Sequence, residues 1–66
     1  SMSLELVLAE IRIRSLAEAL GNLPGLTQAD RQCIRESFQR ALRRLREQHA
    51  REQQEHRLEN VQRFLL

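Results

Sequence analysis

After Gly25 the chain continues to Leu66 without a proline or a glycine. Those two residues interrupt helices most strongly. Their absence, in a stretch dense in Arg, Glu, Gln, Leu and Ala, predicts one long helix over about residues 28–65. Thr27 is placed to cap it, with a hydroxyl that can accept from an orphan amide of the first turn, and Asp30 is placed to reach back as in a capping box. Glu36–Arg40, Glu47–Arg51 and Glu59–Arg63 have the favourable i,i+4 order, and each pair is expected to add ~0.2–0.5 kcal/mol.

Upstream, Ser3 can cap a first helix over about residues 4–20. Gly21 is expected to end it in the left-handed conformation, and Pro24 prevents its continuation. Residues 21–26 then form a connector short enough to make its two helices antiparallel neighbours. Leu23 and Leu26 are expected to fold back on that end. The predicted fold is all-α, a hairpin of a short first helix and a long second one. Ser1 and Met2 read as a remnant of expression, which leaves residues 3–66 as a single module of a larger protein.

The apolar pattern fits a hairpin poorly unless something else covers it. In the first helix Leu6, Ala9, Ile13, Leu16 and Leu20 make one face. Leu4, Val7, Leu8 and Ile11 make a second, roughly opposite, with Glu5, Glu10, Arg12 and Arg14 on the flanks between them. A helix apolar on both sides calls for burial on both sides. In the second helix Ile34, Phe38, Ala41, Leu42 and Leu45 share a face. Only Ala50 is aliphatic between Arg46 and Arg57; Leu58, Val61 and Leu65, with Phe64 beside them, then follow on a face turned by about half a revolution. No proline or glycine supports a kink there, so two different neighbours are expected to cover the two halves.

These patterns lead to self-association. Two hairpins are expected to pair as a homodimer, with a tetramer as the other stoichiometry, in a four-helix-bundle or coiled-coil arrangement. The function expected is an oligomerisation module. The alternative is a docking surface for a helix of a different protein. RNA or DNA binding through Arg31, Arg35, Arg46 and Arg57 is the weaker reading, since glutamates intervene and there are no Trp or Tyr rings to stack.

Charge sharpens the picture. Residues 35–46 hold five Arg and one Glu, a local charge of +4, while residues 47–60 hold four Glu and two Arg, a local charge of −2. Laid antiparallel, two such helices would set basic beside acidic. The net charge of +2 is too small to imply a polyanionic partner.

The remaining residues carry little chemistry. Cys33 is single, which fits an intracellular, reducing compartment, and is expected to be a small buried hydrophobe. His49 and His56 lie about two helical turns apart, ~10 Å, too far to share one metal ion. The spacing Leu4-x3-Leu8-x2-Ile11-x-Ile13 resembles a leucine-rich nuclear export signal, a pattern that burial in an assembly would hide. No stretch is apolar enough to span a membrane. No catalytic constellation, metal site or cofactor motif is evident, so the chain is not expected to be an enzyme.

Overall fold

Two helices form, and each begins at a side chain that accepts a hydrogen bond from its first turn. A computed structural model describes residues 3–65; Ser1 and Met2, the expected expression remnant, lie outside them, as does Leu66. Helix α1 spans Leu4–Gly21 and helix α2 spans Gln28–Leu65, 18 and 38 residues long. The Ser3 hydroxyl accepts from the Leu6 amide at 3.2 Å. At α2 the capping box is reciprocal: Thr27 Oγ1 accepts from the Asp30 amide at 3.0 Å, and Asp30 Oδ2 accepts from the Thr27 amide at 2.9 Å. The amide and hydroxyl of Thr27 hold the Asp30 carboxyl below its ordinary value.

The end of α1 differs from expectation. Gly21 is still helical, and Asn22 closes the helix in right-handed backbone, φ −91° and ψ −1°. The Asn22 amide donates to the Glu18 and Ala19 carbonyls, and the Leu23 amide donates to the Leu20 carbonyl at 3.2 Å. Tightened amides therefore serve the final carbonyls without a left-handed residue. Arg31 Nε also donates to the Gly21 carbonyl, at 3.4 Å, placing a cation at the negative end of the α1 dipole. The left-handed residue is Gly25, φ +81°. It follows Pro24, the order a type II turn requires. Leu26 is half-buried there, whereas Leu23 stays exposed instead of folding back.

Helix α2 is unbroken and gives the molecule its 61 × 19 × 13 Å shape. Helix α1 runs antiparallel to the first part of α2: Ala17 and Gly21 lie near Arg31 and Ile34, while Leu6 and Ala9 lie near Leu45 and His49. The seam follows heptad spacing. Leu6, Glu10, Ile13 and Ala17, separated by four, three and four residues, meet Ile34, Phe38, Ala41 and Leu45, separated likewise. All eight are buried or half-buried.

Leu16 and Leu20, expected on the same face as Leu6 and Ile13, are instead 58% and 40% exposed, and Ala17 and Gly21 are half-buried in their place. There Ala17 and Gly21 line an open groove beside Arg31 and Ile34, with nothing within 4 Å of a Cβ added at Gly21. Leu6 is the one buried apolar residue among those described. None of these helices is long and apolar enough to cross a membrane, among the described residues.

The two glycines respond oppositely to alanine. Gly21 is helical with nothing within 4 Å of an added Cβ, so Gly21→Ala raises unfolding free energy by about 0.5 kcal/mol. Gly25 also has open space but a φ of +81°, so Gly25→Ala lowers it by about 1 kcal/mol. Urea titrations followed by circular dichroism check both signs.

Candidate interaction surface

The hairpin seam contains a charge. Glu10 occupies a core position of the heptad stripe and is only 5% exposed. Arg46, from the flank of α2, donates from Nε to Glu10 Oε1 at 2.5 Å, and Arg14 Nη2 stands 4.0 Å from Oε2. The Arg46 hydrogen bond, opposed by desolvation and reinforced by the Arg46 and Arg14 charges, holds the Glu10 carboxyl below its ordinary value. The same hydrogen bond and charge raise the Arg46 guanidinium. Reading Glu10 as a flank residue is therefore corrected: it is central to the seam. The signal was its place in the series 6, 10, 13, 17, which matches 34, 38, 41, 45 on the other helix.

Among residues proposed for an interface, the structure brings Leu6, Val7, Ile13, Ile34, Phe38, Leu42 and Leu45 into or beside the seam. Leu4, Leu8 and Ile11 point away and stay exposed, as do Leu16 and Leu20. Beyond His49, α1 no longer covers α2, and every described residue from Ala50 onward is exposed. Leu58, Val61, Phe64 and Leu65 all lie on this overhang, with Phe64 at 90% exposure. The chain thus carries two uncovered apolar stripes, one on α1 and one on the α2 overhang.

Polar contacts on α2 also differ from expectation. Glu36–Arg40, Glu47–Arg51 and Glu59–Arg63 do not form; the ion pairs among the described residues are Glu10–Arg46 and Glu10–Arg14. Arginines bond instead to neutral groups three residues back: Arg40 to Ser37 Oγ, Arg35 to Gln32 Oε1 and Arg51 to Gln48 Oε1. Gln32 and Gln48 each then donate to a glutamate four residues on, Glu36 and Glu52. Exposed charge pairs gain little in water, so a bridging amide competes on equal terms.

Cys33, expected to be buried, is free and exposed. It falls on an exposed flank of α2, on the other side of the seam from Arg46. His49 is half-buried in an open groove lined also by Glu5, Leu6, Ala9, Leu45 and Glu52, whereas His56 is exposed. Among the described residues no group of three or more His, Cys, Asp or Glu is placed to hold a metal ion.

No protein-family model, curated protein or solved structure matches the chain. Its function has to be read from its surface.

Because the Glu10 carboxyl is lowered from 4.5 by folding, its stabilising effect is complete above about pH 4.5 and is lost as pH falls through the folded value. Arg46→Ala therefore lowers the urea midpoint at pH 7 more than Arg44→Ala, a substitution on the exposed side. The gap between the two variants closes once Glu10 is protonated. Paired denaturations from pH 7 down the acid limb check it.

Proposed function

We propose that the chain is a self-association module that joins two copies of a larger protein as a homodimer. The observation carrying this reading is the pair of uncovered apolar stripes on a chain with so little core of its own. The molecule exposes 5793 Å², whereas a compact monomer of 7.8 kDa would expose about 4,400 Å². The excess is comparable to what each partner buries in a stable interface, roughly 800 Å² or more. Exposed leucine and isoleucine on this scale mark an interaction surface.

In the proposed assembly four helices share one core, with Leu4, Leu8 and Ile11 of each copy buried against the other chain. The reading assigns the module no catalytic step and no cofactor. An exposed, single thiol at Cys33 supports a reducing, intracellular setting. Nucleic-acid binding is disfavoured because Arg46 is engaged by Glu10 and Arg35 and Arg51 by glutamines.

Light scattering behind size exclusion, across a hundredfold dilution, tests the proposal. The wild-type chain should hold twice the 7.8 kDa chain mass. Leu8→Asp and Ile11→Asp each place a charge on the outer stripe, away from the intrachain seam, and should give monomers. A monomeric wild type would overturn the reading in favour of a docking surface for a helix of a different protein. Variants that stay dimeric would remove α1 from the interface.

A further inference from the structure

The outer face of α1 repeats the spacing of its inner one. Leu4, Leu8, Ile11 and Ser15 are separated by four, three and four residues, as are Leu6, Glu10, Ile13 and Ala17 against α2. At 3.6 residues per turn the two series are centred about 160° apart. All four outer residues are exposed, Leu4 at 72% and Ile11 at 51%. A heptad-spaced apolar face is one that a second helix packs against. We propose that this second helix is α1 of another copy, running antiparallel, with residues 9 and 10 of both copies at the centre of the contact. This rests on the self-association reading and adds its orientation and register.

Charge selects this order. Glu5 and Arg12 lie seven residues apart and border the same edge of the outer stripe. Both are exposed, and neither belongs to the ion pairs among the described residues, Glu10–Arg46 and Glu10–Arg14. When two such stripes pack antiparallel, the same edge of each helix faces its copy. Leu8 then meets the partner's Ile11, and Leu4 meets the partner's Ser15. Glu5 comes within about 3 Å of rise of the partner's Arg12. Two-fold symmetry makes each of these contacts twice.

Neighbouring registers fail on the same edge. A shift of one heptad in one direction sets Glu5 beside the partner's Glu5 and pairs only Leu4 with Leu8. The opposite shift sets Arg12 beside the partner's Arg12 and puts Leu4 level with Asn22, past the end of α1. Parallel chains in register would face Arg12 with Val7 and give Glu5 no cation. Like-charge contacts penalise the wrong arrangements more than the matched pairs add affinity. The edge therefore fixes the order, while Leu4, Leu8 and Ile11 supply the burial. The stripe lies on the side of α1 away from α2, so the two α1 helices meet in the middle with an α2 helix beyond each.

Disulfide trapping tests the register. Light scattering first establishes the mass of the wild type and of Cys33→Ser, which removes the only thiol, an exposed one. In that background Leu4→Cys combined with Ser15→Cys should give a disulfide-linked dimer under mild oxidation. Either substitution alone should not, because like positions stand about 11 residues of rise apart, ~16 Å. Single variants that crosslink would mean parallel chains and overturn the proposal while leaving self-association intact. A dimer whose double variant does not crosslink overturns the register, and a monomeric wild type overturns both. Charge exchange leaves the apolar stripe intact and supplies a second readout. Glu5→Arg and Arg12→Glu should each weaken the dimer by about tenfold, and the double variant should recover to near the wild-type value. A double variant no tighter than the singles would overturn the pairing.

Discussion

A helix of 18 residues covers only half of one of 38. Much of the structure's character follows from that mismatch. The connector is short enough to force α1 back along the start of α2, so the covered half is fixed at the hairpin end. The other half extends as a bare rod, and its apolar residues face a direction that no continuation of the seam would serve. Helices of this length draw most of their stability in water from tertiary packing rather than from propensity. A bare half is therefore the part of the chain that most needs a neighbour.

Within the covered half, the contact that fixes register is polar. Glu10 stands where the heptad pattern would place a leucine, and Arg46 closes over it. An ion pair so placed adds less stability than an apolar pair of the same size. It does penalise sliding, because a shift by one heptad would bury Glu10 without its guanidinium. The pair also lies toward the open end of the hairpin, three turns from the connector, where the loop no longer constrains alignment. The capping box at Thr27 and the Arg31 contact to Gly21 hold the closed end, and the Glu10–Arg46 pair holds the open one.

The hairpin itself was legible from local chemistry. Ser3, Thr27 and Asp30 act as their side chains suggest, and the lack of breakers after Gly25 does produce an uninterrupted α2. The uncovered stripes were legible as well, because period alone separates Leu58, Val61 and Leu65 from the face carrying Ile34 and Phe38. What escaped depends on which helix surfaces meet. Glu10 looks like any charged flank residue until the partner helix supplies Arg46. Leu16 and Leu20 outrank Ala17 and Gly21 in hydrophobicity, yet the series 6, 10, 13, 17 turns Ala17 rather than the leucines toward α2. Cys33 was assigned to the interior by residue type alone, although its position on α2 lies off the seam on an exposed flank. Of the predicted i,i+4 pairs, Arg40 bonds Ser37 and Arg51 bonds Gln48 instead, because water leaves so little between the choices.

The central claim is that this hairpin is half of a core, so its stability is inseparable from its concentration. The most direct test is the urea midpoint of helix loss, followed by circular dichroism at protein concentrations a hundredfold apart. Coupled folding and dimerisation predicts a midpoint that rises with concentration, equivalent to about 2.7 kcal/mol of added stability per dimer across that range. A midpoint that does not move would mean that the hairpin folds alone with its apolar stripes exposed, and would contradict the account.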